Sequence, residues 1–168
     1  MIEKTVSQSS IAVVQQMTHE DANLAGNVHG GSIMKLIDNT AGLVAVRHNQ
    51  SNVVTASIDR LDFYSPVYIG NLLKIKAGLN HVGKTSMEVG VRVEAEDILT
   101  GKVRHTATAY LTFVALDKDG KPLPVIPLSL ETDEEKRRNQ EANQRREVRL
   151  KEKERIKQQR LKKGSSDI

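Results

Sequence analysis

From residue 33 to residue 46 the chain reads IMKLIDNTAGLVAV. Ile33, Met34, Leu36, Ile37, Ala41, Leu43, Val44, Ala45 and Val46 fall on nearly every side of a 3.6-residue helix, so this helix has no broad polar face for water and is expected to be enclosed by other structure. The segments downstream of it can form that enclosure. In residues 53–63, Val54, Ala56 and Ile58 alternate with Thr55, Ser57, Asp59 and Leu61. In residues 72–82, Leu73, Ile75, Ala77 and Leu79 oppose Lys74, Lys76 and Asn80. Met87, Val89, Val91, Val93 and Ala95 oppose Glu88, Arg92, Glu94 and Glu96, and Val103, Ala107, Ala109, Leu111 and Phe113 oppose Arg104, Thr106, Thr108, Tyr110 and Thr112. Period-two alternation marks strands with one apolar face. Turn residues at Ser65, Pro66 and Gly70, at Gly83-Lys84 and at Thr100-Gly101 separate them, and the expectation is four antiparallel strands joined by short turns. A β-prone run at residues 9–17 adds an edge strand. An α-helix of about 18 residues spans roughly 27 Å, and a strongly curved sheet wrapped around it needs no other partner for its apolar face.

The helix carries one carboxylate, Asp38, on the side of Met34, Ala41 and Ala45. A carboxylate that loses hydration is paired, hydrogen-bonded, raised in pKa or kept for chemistry. The bland role is an acid capping a backbone amide; the functional role carries more weight. Upstream, Asn23, Gly26 and Asn27 read as loop, and Gly30 and Gly31 open the helix. Unpaired amides at a helix start, with the positive end of the dipole, suit an anion or a developing oxyanion. Asp38 lies eight residues farther on, roughly 12 Å along the axis. If both groups act on one substrate, two copies of the chain must meet in antiparallel fashion and share their sites.

Composition removes several alternatives. Cysteine is absent, which excludes a disulfide framework, a thiolate nucleophile and a zinc-thiolate centre; no metal site or resident cofactor is expected. No basic-then-apolar leader and no membrane-spanning run is visible, so a cytoplasmic protein is the default. The net charge of +4 is unevenly placed. Thirteen Lys or Arg and nine Asp or Glu lie from Glu131 onward, leaving twelve of each before it. The excess therefore belongs to the tail, and with only 3% aromatic residues and no Trp no nucleic-acid platform is expected.

Pro122, Pro124 and Pro127 end the sheet. Thr132-Asp133-Glu134-Glu135 then reads as a capping box, with supportive pairs Glu134/Arg138, Glu141/Arg145 and Glu147/Lys151. The apolar residues of this helix are few and poorly aligned (Ala142, Val148, Leu150, Ile156, Leu161), so it is expected to bury little and to project as a solvated arm. Gly164 to Ile168 is expected to be disordered. The organisation is one domain over residues 1–130 and a charged helical tail over 131–168.

The motifs DANLAGNVHGG leading into LIDNTAG, SIDRLDFYSPVYIG, GKTSMEV and ILTG resemble those of the hotdog-fold acyl-CoA thioesterases, in the group that includes bacterial acyl-CoA hydrolases and the brain-type cytosolic enzyme. The resemblance covers about residues 9–127. It implies an α+β hotdog fold, an antiparallel sheet wrapped around one long central helix, here followed by the charged C-terminal helix. It also implies a dimer whose sheets join, and commonly a hexamer made of three dimers. Asn23 matches the family's catalytic Asn, and Asp38 its catalytic acid, contributed by the partner subunit.

The implied chemistry is hydrolysis of acyl-CoA to free fatty acid and CoA, coenzyme A being part of substrate and product. Asp38 would activate a water or attack the carbonyl carbon itself, amides at Gly30 and Gly31 would hold the oxyanion, and Asn23 would orient the water or the carbonyl. His29 reads as a loop-packing or pantetheine-contacting residue rather than the base. Arg60, Lys84, Thr85 and Ser86 sit in motifs resembling CoA-contacting segments. A hotdog dehydratase would need a His and an acid cooperating where Asn23 stands. A non-catalytic acyl-CoA sensor would normally be attached to a DNA-binding domain, and no helix-turn-helix pattern flanks the core, although the tail keeps an interaction role open.

Overall fold

The computed structural model describes residues 3–164, with side chains through Leu161. The disorder expected at the C-terminal end falls, beyond Gly164 itself, outside the described residues. A short strand β1 (Lys4–Thr5) and one helical turn α1 (Val6–Ser9) precede β2 (Ile11–Gln16). The long helix α2 (Gly30–Asn49) comes next, then β3 (Asn52–Phe63), β4 (Leu72–Val82), β5 (Ser86–Asp97), β6 (Lys102–Leu116), the two-residue β7 (Leu128–Ser129) beside β1, and α3 (Asp133–Gly164).

The main sheet has the order β2-β4-β5-β6-β3 and every pairing in it is antiparallel. This is the wrapped α+β architecture expected, with one difference. β3 is not the turn-linked neighbour of β4; it crosses to the far edge and pairs with β6. Ser65, Pro66 and Gly70 look like a local turn because turn chemistry is local, whereas the choice of pairing partner is made by the whole sheet.

α2 lays Ile33, Ile37, Ala41, Val44 and Ala45 against Leu73, Ile75, Met87, Val89, Leu111 and Phe113 of the sheet, all at most 3% exposed. Each large side chain buried this way contributes about 1.5–3 kcal/mol. The opposite side of α2 is not enclosed by its own chain: Leu43 is 53% exposed, and Met34 and Val46 are also exposed. The all-round apolarity of the helix therefore exceeds what one copy of the sheet covers. Gln50 ends the helix in the left-handed region at φ 52°, and Lys4 Nζ donates to the carbonyls of Arg47 and His48 at 3.2 and 2.7 Å, where a cation suits the helix dipole.

β3 carries two bulges. Thr55 lies opposite Phe113 but Ser57 opposite Thr112, so Ala56 is an extra residue; Ile58 lies opposite Leu111 but Arg60 opposite Tyr110, so Asp59 is another. An extra residue re-aims the side chains beyond it. The alternation expected in this strand is thus broken: Thr55 shares the inner face with Leu61, while Ser57 faces outward.

The C-terminal helix departs most from expectation. Its capping box forms, the Glu135 amide donating to Thr132 Oγ1 at 3.2 Å and its carboxylate accepting from the Thr132 amide at 3.1 Å. The first half then lies across the outer face of the sheet rather than projecting. Asn139 Nδ2 donates to the Asn80 carbonyl of β4 at 2.8 Å, Arg145 grips Glu88 of β5 at 2.7 and 3.2 Å and stacks over Tyr110 of β6 at 3.8 Å, and Arg149 pairs with Asp59 of β3. Asn139 to Arg149 is about 15 Å of helix and three strand spacings are about 14 Å, so α3 crosses the strands nearly at right angles. Ala142 is fully buried beneath it. The dock is made mainly by polar and cationic side chains, which is why apolar periodicity did not reveal it. Glu134 pairs with Arg138 as expected, but Arg145 is taken by Glu88, and Glu141 pairs instead with Arg137. Residues 151–161 are exposed; this distal half lies past the edge strand and does project.

Candidate active site

The loop before α2 is closed on itself. Ala22 and Val28 bridge, the His29 amide donates to the Asp21 carbonyl at 2.6 Å, and Asn27 bridges to Tyr68. At its centre Asn23 Oδ1 accepts the amides of Ala25 and Asn27 at 2.9 and 3.1 Å. Locking the oxygen of the carboxamide assigns the remaining group, Nδ2, as a donor available to a ligand.

The two glycine amides at the helix start are not equivalent. His29 is the N-cap, and its Nδ1 accepts the Gly31 amide at 2.8 Å. Because Nδ1 accepts, Nε2 is the ring nitrogen that is left to donate. Within the single copy Gly31 donates inside its own loop, whereas the Gly30 amide has no hydrogen-bond partner among the described residues. A Cβ on Gly31 would lie 2.9 Å from His29 Nδ1, and one on Gly30 would lie 3.8 Å from the Phe63 ring.

Asp38 sits on the flank of α2, between the buried stripe and the uncovered side, and is partly exposed. Its Oδ1 accepts from Thr55 Oγ1 at 2.7 Å, leaving Oδ2 to a water or substrate. Thr55 is a candidate site residue that the sequence did not point to. Nothing within a few residues of it signals the contact, because the register of β3 on β6 and the packing of β3 on α2 create it.

Within one chain Asp38 stands about 12 Å along the helix from Gly30. The expected CoA-contacting residues occupy two places. Lys84, Thr85 and Ser86 form the β4-β5 turn, with Lys84 exposed; Ser86 pairs with Val114, which pairs with Val54 beside Thr55. This turn lies at the Thr55 end of the sheet, away from the end where Phe63 meets Gly30. Arg60 is exposed on the outer face and pairs with Asp62, so the structure does not bring it to Asp38 or to the Lys84 turn. His29 stays with Asn23 and the helix start. No group of three or more His, Asp or Glu side chains that could hold a metal ion occurs among the described residues, and no described helix is long and apolar enough to cross a membrane.

Known proteins place this geometry. The model of the Thioesterase superfamily matches residues 25–102. The cytosolic acyl coenzyme A thioester hydrolase of Rattus norvegicus is 38% identical over 143 residues, covering 84% of this chain and 38% of that protein, so the chain spans well under half of this longer relative. The crystal structure of an apo-hexameric acyl-CoA thioesterase superposes with a TM-score of 0.87 at 39% identity, covering 90% of this chain and 97% of the other. The acyl-CoA hydrolase from Staphylococcus aureus, in complex with butyryl coenzyme A, coenzyme A and coenzyme A disulfide, superposes with a TM-score of 0.85 at 34% identity over 99% of this chain and all of the other. With its antiparallel sheet packed on one long helix, and relatives this similar over nearly the whole length, the chain belongs to the hotdog-fold acyl-CoA thioesterases.

Proposed function

We propose that this chain hydrolyses acyl-CoA thioesters to a fatty acid and free CoA, at sites each built from two copies. The observation that carries the reading is the Asp38–Thr55 pair, partly exposed on the uncovered flank of α2 and separated along the helix from the free Gly30 amide. One copy offers an acid and the other an oxyanion donor and the Asn23 amide. The exposed apolar side chains Met34, Leu43 and Val46 on the same helix give a second copy a surface to cover.

Structures of the Staphylococcus aureus hydrolase include variants in which an aspartate, an asparagine and a threonine are each replaced by alanine. Those three residues are spaced along that chain as Asn23, Asp38 and Thr55 are here, which supports assigning the same trio to this site. In the step, Asp38 takes a proton from water as hydroxide adds to the thioester carbon, or attacks that carbon itself. The oxygen that gains charge is held by the Gly30 amide, a kind of contact worth about 3 kcal/mol in other enzymes. Collapse breaks the C–S bond, and the thiolate of CoA takes up the proton removed from water; on the second route collapse leaves a mixed anhydride on Asp38, and a water hydrolyses it to the fatty acid, the restored carboxylate and the proton that the thiolate takes up.

The Lys84-Thr85-Ser86 turn supplies a cation and hydroxyls for the CoA moiety near the Thr55 end of the sheet, while His29 Nε2–H offers a donor beside Asn23. Arg60, held by Asp62, has the weaker claim. A hexamer built of three dimers is the assembly proposed, by likeness to the hexameric thioesterase, and the cytoplasm the compartment, by likeness to the rat enzyme named cytosolic.

The test is incubation with a series of acyl-CoA esters from short to long while free CoA is titrated with a thiol reagent, with Asp38→Ala as control. Release of free CoA by the wild type and its loss in the variant is the expected result. Binding without release would favour an acyl-CoA sensor, and release by Asp38→Ala at the wild-type rate would overturn the mechanism.

A further inference from the structure

The bulged segment of β3 has two faces with different partners. On the inner side Thr55 meets Asp38 of α2. On the outer side Asp59 collects three donors: Ser57 Oγ at 2.8 Å, Thr112 Oγ1 at 3.2 Å and the guanidinium of Arg149 from α3. Asp59 and Arg149 are 11% and 16% exposed, so this pair is far more shielded than the surface ion pairs elsewhere on α3. Within the single chain β3 is laddered to β6 alone, and that ladder is interrupted twice. A strand with two extra residues in five has fewer ladder hydrogen bonds to define its path than a regular strand has. Its position depends correspondingly more on side-chain anchors.

From these contacts we infer that Arg149 is a positioning residue for the active site, acting through Asp59 to fix the bulged segment of β3 and hence the Thr55 hydroxyl against Asp38. The C-terminal helix is then a strap whose last sheet contact lies at the strand that carries the reaction. The sequence of contacts along α3 suits this. Asn139 on β4 and Arg145 on β5 and β6 anchor the helix over the central strands, and Arg149, one turn beyond Arg145, carries that rigidity to the edge. Because a hydrogen bond weakens steeply once its angle and length depart from ideal values, a small drift of β3 would weaken the Thr55 donation to Asp38 without unfolding anything. Arg149 touches neither substrate nor Asp38, and its effect is on the reacting geometry alone.

This inference rests on the thioesterase reading for its kinetic consequence but not for its structural one, and the experiment separates the two. In the full-length chain, Arg149→Ala is expected to lower kcat for acyl-CoA at least about fivefold with KM changed less than twofold. The conservative Arg149→Lys should recover part of the loss. Asp59→Asn should lose as much as Arg149→Ala, and the double variant no more than either single one. Arg155→Ala, on the projecting half, is the control and should match wild type. Amide hydrogen exchange, which needs no activity, should show faster exchange in residues 55–60 of Arg149→Ala with β4 and β5 unchanged. A wild-type kcat together with unchanged exchange in residues 55–60 overturns the proposal. So does a loss of kcat accompanied by equally faster exchange throughout the sheet, since that is destabilisation rather than positioning. If the wild type hydrolyses no acyl-CoA, the functional reading fails, and the exchange result still decides whether Arg149 fixes β3.

Discussion

Asp38 Oδ1 accepts a 2.7 Å hydrogen bond from Thr55 Oγ1, across seventeen residues of sequence and between the two elements on which the site is built. The bond orients the carboxylate and uses one of its oxygens, so the other is directed to the open flank of α2.

Removing that hydroxyl while keeping the volume tests its part in turnover. Thr55→Val is expected to lower kcat about tenfold or more and Thr55→Ser to stay near wild type. Asp38→Asn should cost about 10²–10⁴-fold, the range of a lost general base. Steady-state kinetics with one acyl-CoA decides each, and a Thr55→Val enzyme with unchanged kcat would detach this residue from the mechanism.

The N-cap of α2 predicts a stability effect at the site itself. His29→Ala leaves the Gly31 amide without its acceptor and should destabilise by about 1 kcal/mol, as lost side-chain caps do. Gly31→Ala would force His29 away, because the new methyl would stand 2.9 Å from Nδ1. Thermal melts followed by circular dichroism, at one fixed protein concentration, measure both.

Glu88 is 3% exposed on the outer face and is held by Arg145 and by Asn80 Nδ2 at 3.1 Å. Arg145→Ala strands that carboxylate, and breaking a buried pair from one side costs about 3–5 kcal/mol. Adding Glu88→Gln should return much of the loss. Urea unfolding of the two variants is the measurement, and an Arg145→Ala midpoint equal to wild type would show that α3 adds nothing to the sheet.

Two histidines, the buried His48 and the half-buried His81, set an acid limit. Burial lowers the pKa of His48, opposed in part by its bond to the Ile126 carbonyl, and burial with the nearby Arg146 lowers that of His81. Below the ordinary value of 6.5 the unfolded chain takes up protons that the folded chain refuses, so stability falls as pH drops from that value toward the lower folded-state values. His48→Gln should flatten the decline between pH about 6.5 and 5, as read by denaturant midpoints at each pH.

The Lys84 turn predicts a binding effect without a chemical one. Lys84→Ala should raise KM for acyl-CoA several-fold and leave kcat nearly unchanged, the signature of lost uniform binding. The opposite pattern would remove the turn from the CoA site.

The sequence by itself determined the helix around Asp38, the strands β3 to β6 as elements, the capping box at Thr132 and the loop centred on Asn23, because periodicity, turn chemistry and caps act within a few residues. Tertiary structure alone decided that β3 lies beside β6 in a register that faces Thr55 inward, that the bulge at Ala56 turns Ser57 outward, and that His29 takes the Gly31 amide. It also decided the fate of the tail: Arg145 and Arg149 look like solvated charges in a polar helix, and only the buried Glu88 and Asp59 beneath them make them anchors. These outcomes depend on which distant segments meet, and a meeting between residues 17 or 90 positions apart is fixed by the packing of the whole sheet, for which no short stretch of chain carries a signal.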